Sequence, residues 1–139
     1  MAKHLWALCC EDVIIDSASN NVTLINVFEQ FIVPRLPVVI PRKNYVASLW
    51  QRELPASEDE RFHLKFVIHS EGEEPNESNV PDIELTIPRG NASVRHFGSL
   101  QGITVRRAGN LFVKIMMSGN GERVSSWTEE AKITIKVGL

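Results

Sequence analysis

The sequence predicts an all-β domain, a two-sheet antiparallel β-sandwich of about eight strands, immunoglobulin-like or C2-like. Three observations carry that expectation. Several segments alternate apolar and polar residues with period two, the mark of a strand with one buried and one wet face. No long segment carries an apolar stripe at i, i+3, i+4 and i+7, so no helix is required. Turn residues recur at short, regular intervals, as a two-sheet antiparallel sandwich needs.

The elements follow in chain order. Leu5 to Val13 and Val22 to Phe28 are apolar on both faces, as central strands often are. Asp16, Ser17, Ser19 and Asn20-Asn21 form a turn cluster between them, which joins the two runs as an antiparallel pair. Val33 to Pro41 holds Pro34, Pro37 and Pro41, each of which removes a ladder donor, so an extended crossover between sheets is predicted. Its P-x-x-P spacing also suits a polyproline-reading domain, but Val38 to Ile40 read as core. Tyr45 to Arg52 is the next strand, carrying Val46, Leu49 and Trp50. Phe62, Leu64, Phe66 and Ile68 then share one face, with His63, Lys65 and His69 on the other.

Ser70 to Asp82 is the longest polar connection, and beyond it Ile83, Leu85 and Ile87 alternate with Asp82, Glu84 and Thr86. Pro88 to Asn91 marks a turn. Val94 to Val105 reads as a strand bulged or bent at Gly98 and Gly102. Ala108-Gly109-Asn110 turns the chain into Leu111, Val113, Ile115 and Met117, and Gly119-Asn120-Gly121 supplies a tight hairpin. Val124 to Trp127 starts the returning strand, which resumes at Ala131 after a break at Thr128 to Glu130. There Ile133, Ile135 and Val137 alternate with Lys132, Thr134 and Lys136. With no internal repeat and no linker, residues 1–139 read as a single domain.

Composition narrows the function classes. The chain has 139 residues, a net charge of −2, and 43% hydrophobic and 23% charged residues. That length buries a core without metal or disulfide staples. The composition excludes wholesale disorder, collagen-like repeats and a cysteine framework. A near-zero charge offers no general attraction to nucleic acid or anionic membranes. Glu11 and Asp12 interrupt the apolar N-terminal run too early for a signal peptide, and no stretch approaches the roughly 18 apolar residues of a membrane helix. The expectation is a cytoplasmic protein. Cys9 and Cys10 are neighbours, and ordinary disulfide geometry separates Cα atoms further than one peptide allows. They read as two reduced thiols, at least one buried. The N-x-S/T triplets at Asn21, Asn76 and Asn91 read as turn asparagines.

The run Leu8-Cys9-Cys10-Glu11-Asp12-Val13, then Asn21-Val22-Thr23-Leu24-Ile25-Asn26-Val27-Phe28-Glu29, then Leu36-Pro37 resembles a widespread family of small bacterial proteins of unknown function. Leu100-Gln101-Gly102-Ile103 and Gly109-Asn110-Leu111-Phe112-Val113 resemble the closing strands of that group, with Leu111 where a Tyr is common. The resemblance covers most of the chain. It implies a single-domain sandwich, immunoglobulin-like or C2-like, and brings no activity and no catalytic residues.

Searched for chemistry, the sequence holds no G-x-x-x-x-G-K-[ST], no G-x-S-x-G and no H-E-x-x-H. His63 and His69 share a strand face about 20 Å apart, too far for one zinc ion, and read as solvent-facing. His4 and His96 are further candidates to approach either. Glu71, Glu73, Glu74, Glu77 and Asp82 offer the hard oxygens calcium takes, in a loop that equally resembles a solvated connection. The basic pairs Arg42-Lys43 and Arg106-Arg107 are isolated, unlike a nucleic-acid stripe. Trp50 and Trp127 lie in mixed-polarity stretches and are candidate interaction anchors if exposed, whereas Trp6 reads as core. No cofactor is expected. The leading expectation is a non-enzymatic module that binds a protein partner or itself. A calcium-dependent C2-like module and an unrecognised enzyme are the alternatives.

Overall fold

A computed structural model describes residues 2–41, 43–74, 82–119, 122–123 and 128–138. Period-two alternation becomes strand wherever it was read: β6 (Glu60–Ser70), β7 (Ile83–Ile87) and β12 (Thr128–Val137). The both-face-apolar runs become β1 (Lys3–Ile15), β2 (Val22–Phe28) and β5 (Tyr45–Gln51). With β3 (Gln30–Val33), β8 (Ser93–Ser99) and β10 (Gly109–Gly119) they complete the longer strands. Three two-residue strands, β4 (Val38–Val39), β9 (Thr104–Val105) and β11 (Glu122–Arg123), fill out the order. The described residues contain no helix.

The strands form two main sheets. The first runs β2-β1-β5-β8, the second β3-β12-β10-β6-β7, with β11 on β10 and a separate β4-β9 ribbon. Pairing is antiparallel except that β3 runs parallel to β12, with Phe31 opposite Ile135. The expected antiparallel sandwich thus includes one parallel pair at the edge of its second sheet. The short run before Pro34 leaves the first sheet after Phe28 and crosses to the edge of the second. Val33 to Pro41 is then the predicted crossover, held by Val38 opposite Val105, and Ile40 is buried.

Facing strands put their apolar sides together. One cluster joins Cys9 and Val46 of the first sheet to Leu111, Val113, Ile133 and Ile135 of the second. Another joins Ala2 and Trp50 to Phe62, Leu64, Ile87 and Ile115. A register shift between His4 and Trp6 lets β1 serve both clusters, because one extra residue reverses which side chains point inward. Ala2 and His4 face in before it, Ala7 and Cys9 after it, and Leu5 stays exposed.

Two local readings change. Gly98 sits inside β8 in regular pairing with Val46 and makes no bulge. The bend lies at Gly102, whose φ of 83° is the left-handed region that favours glycine. The break expected at Thr128 to Glu130 is a bulge in a continuous strand. Val113 and Lys114 face Ala131 and Glu129 in succession, leaving Glu130 unpaired.

Candidate interaction surface

The outer side of the first sheet should be polar if the strands alternate, and it is not. The register aligns Trp6 with Leu49 and Arg95, Leu8 with Ala47 and Phe97, and Val27 with Cys10, Tyr45 and Ser99. These residues lie opposite the inward Ala7, Cys9, Phe28, Val46 and Trp50, so their side chains form the sheet's outer face. Leu8 is 41% exposed, Val27 50% and Ile14 53%. Trp6, Leu49, Tyr45 and Phe97 are half-buried, and Cys10 and Ala47 have no exposed surface. The result is an apolar surface spread across four strands. Trp6, read as core, belongs to this surface instead.

Trp50 does not. It is fully buried, its indole N–H donating to the Ser48 hydroxyl at 3.0 Å and its ring packing on His4 and Phe62. The expectation of Trp50 as an exposed anchor is therefore corrected. Polar neighbours in the sequence misled because Ser48 serves the indole from the same face and Arg52 is occupied elsewhere. Trp127 lies outside the described residues.

The acidic candidates are not brought together. Glu71 accepts from the Asn110 amide at 3.3 Å, Glu73 pairs with Arg107 at 3.7 Å, and Asp82 pairs with Lys65 at 3.7 Å. Glu74 is exposed, and Glu77 lies outside the described residues. Each paired carboxylate takes a different partner, and among the described residues no three His, Cys, Asp or Glu side chains could hold a metal ion.

The histidines also separate. His63 is half-buried on the outer face of the second sheet. His69, read as solvent-facing, is 8% exposed because Phe112 lies directly opposite it on β10, ring centroids 5.5 Å apart. His96 points inward and stacks on Phe66 at 5.1 Å. Burial lowers the pKa of both His4 and His96 below the usual histidine value. Both cysteines are free and buried, on opposite faces of β1. Burial and then the neighbouring Cys10 push Cys9 up to about 12. Burial and then the Asp12 carboxylate raise Cys10. Both thiols are held away from the thiolate form that redox chemistry requires.

Two arginines escaped the sequence reading. Arg52 donates to six backbone carbonyls, those of Leu54, Pro55, Glu58, Ile87, Pro88 and Asn91, at 2.7 to 3.5 Å. Beside it the buried Glu60 carboxylate accepts the N–H groups of Glu53 and Leu54. Together they close the end of the sandwich where β5 and β7 finish. Arg95 is different. Half-buried on β8, it donates to the Asn20 carbonyl of the β1–β2 turn at 2.6 Å. It lies in an open depression of about 630 Å³, walled by Thr86, Pro88 and Asn91 on one side and Ile15 and Asn20 on the other. A charged strand residue with no counter-charge among its neighbours was the available signal.

Fold and surface define a β-sandwich with exposed apolar residues on the outer face of its first sheet. The chain belongs to DUF6941, a family of unknown function whose model matches residues 5–127. No curated protein matches it. No helix among the described residues is long and apolar enough to cross a membrane.

Proposed function

We propose that the protein is a non-enzymatic interaction module, and that the outer face of its first sheet is the surface through which it binds a protein partner or a second copy of itself. The observation that supports this is the row of Trp6, Leu8, Val27, Leu49 and Phe97 on a face turned to solvent. Contiguous exposed apolar area of this kind marks contact surfaces. Aromatic residues among it suit an interface centre. The described histidines support the same reading, since His4, His69 and His96 each pack on an aromatic ring. Among the described residues Arg95 is the single ionisable side chain lining the open depression. Two free, buried thiols fit a reducing, cytoplasmic setting.

The test is site-specific photo-crosslinking in the cells that make the protein. A benzophenone amino acid at position 8 is compared with one at position 136, exposed on the other sheet. Adducts concentrated at position 8 are expected, and their mass separates a second copy from another protein. Equal yields at the two positions, or none at position 8, overturn the proposal.

A further inference from the structure

We propose that the open edge of β8 captures an extended peptide by strand addition, and that Arg95 selects peptides carrying a carboxylate. This rests on the interaction reading but on a different observation, the backbone pairing of an edge strand.

β8 is the last strand of the first sheet. The Arg52 N–H donates to the Ala92 carbonyl and the Leu100 N–H to the Asn44 carbonyl, each at one end of the β5–β8 ladder. Between those ends the register is unbroken. Bonded pairs alternate with non-bonded ones in an antiparallel ladder. Val94, His96 and Gly98 therefore spend their backbone groups on β5, whereas Ser93, Arg95, Phe97 and Ser99 turn theirs to the open side. Such an edge is a template for another strand.

Five of the eleven residues lining the depression, Ala92, Ser93, Val94, Arg95 and Phe97, belong to this edge and its approach. Thr86 and Asn20 stand at its sides as walls. Among the described residues Arg95 makes no ion pair, and the bond to the Asn20 carbonyl uses one of its five N–H donors. A carboxylate from an added strand would meet a guanidinium already positioned, the geometry in which Arg favours a charge-assisted pair. The same charge disfavours a two-fold β8–β8 pairing centred on Arg95, because like charges directly opposite repel. An acidic peptide is thus the favoured occupant over a second copy of this chain.

The probe is a capped seven-residue peptide of alternating Val and Thr with a central Glu, set against its Gln and Lys versions and against sodium acetate. Binding is followed by fluorescence anisotropy, and the paired backbone by amide hydrogen exchange. The Glu peptide is expected to bind at least about tenfold more tightly than the Lys peptide, and to slow exchange at Ser93, Arg95 and Phe97. Arg95→Glu should reverse the preference, and its thermal midpoint reports whether the fold survives. Arg95→Gln should abolish the preference without reversing it. Equal binding of all three peptides overturns the proposal, as does protection at the β2 edge instead of β8. Acetate binding at Arg95 without amide protection by any peptide also overturns it, leaving an anion contact only. Failure here leaves the position-8 crosslinking result untouched, so the two readings stand or fall separately.

Discussion

On the second sheet the outward residues of β12 are Lys132, Thr134 and Lys136, those of β6 are His63, Lys65, Val67 and His69, and those of β10 include Phe112, Lys114 and Met116. On the first sheet the outward residues of β1 include Trp6, Leu8, Cys10, Asp12 and Ile14, and β5 adds Leu49, Ala47 and Tyr45. Both sheets contribute their inner faces to the two core clusters. Outside them the sheets differ in exposure: Val67 and Met116 at the middle of the second sheet's outer face are buried, whereas Leu8, Ile14 and Val27 of the first are open to water. Apolarity on both sides of β1 and β2 would be ordinary for strands covered on both faces, yet β2 is the edge of its sheet. The outer face of the first sheet therefore leaves apolar side chains, Leu8, Ile14 and Val27 among them, open to water.

The sharpest test of that contrast uses two tryptophans of the same sheet. Trp50 has no exposed surface and fills the space between Phe62 and His4. Trp50→Ala should cost about 3–5 kcal/mol, the usual price of deleting a buried aromatic ring. Trp6 sits half-exposed on the outer face, so Trp6→Ala should cost about 1 kcal/mol. Chemical denaturation of the two variants checks this. Equal costs would make the outer face part of the core and remove the contrast.

A second, smaller effect is expected where the two sheets meet. Arg52 ties the end of β5 to the end of β7 through the carbonyls of Leu54, Pro55, Glu58, Ile87, Pro88 and Asn91. Arg52→Ala should cost about 2 kcal/mol, as charged hydrogen bonds of this kind do. Arg52→Lys should recover little of it, because an ammonium has three donors and no planar fork. Full recovery by Lys in a denaturation series would reduce Arg52 to a point charge.

These residues also show what was legible. Strands β6, β7 and β12 were read correctly because one wet face imposes a period that sequence displays directly. The pairing of β3 with β12 was not, since Phe31 to Val33 is too short to show a period and the prolines that follow suggest only a crossover. Trp50 was misjudged because sequence shows Gln51 and Arg52 beside it but not the carbonyls that occupy Arg52. The acidic loop reads as a cluster because five carboxylates are close in sequence, whereas Glu71, Glu73 and Asp82 each take a different partner remote in sequence, Asn110, Arg107 and Lys65. The apolar outer face was visible as composition. Its exposure was not, because sheet order decides which strands are covered.

The inner face carries its own pH signature. His4 and His96 face inward, and burial lowers their pKa in the folded state. In the unfolded chain they take up protons below about pH 6.5, while the folded state resists them. The stability they contribute is therefore fully present above that pH and is lost as pH falls below it. Cys9 has the opposite sign: its thiol, pushed up to about 12 when folded, would ionise in the unfolded chain first. Its contribution is lost as pH rises above the ordinary thiol value of 9.0. Thermal midpoints should form a plateau between these limits. His96→Gln should flatten the acid limb and leave the alkaline limb in place, and an unchanged acid limb would show that other groups control it.

The finest comparison spans one peptide bond. Cys9 and Cys10 are both buried and free, but Cys9 lies between the sheets and Cys10 lies on the outer face. Reaching Cys9 requires the two sheets to part, an opening close to global unfolding. Cys10 lies on the side of β1 turned away from the other sheet, so reaching it does not require the sheets to part and takes an opening of lower free energy. A thiol reagent in excess should therefore label Cys10 well before Cys9, with single Cys→Ser variants assigning the two phases. Cys9→Ser should also cost more stability than Cys10→Ser, by about 1 kcal/mol, because its hydroxyl is placed in the drier environment. Equal labelling rates would mean that the outer face is sealed as tightly as the core. The β1–β2 turn, whose Asn20 carbonyl accepts from Arg95 of this sheet, or a partner seated on the face would supply such a seal, and a dilution series separates them because only a partner's protection is lost on dilution.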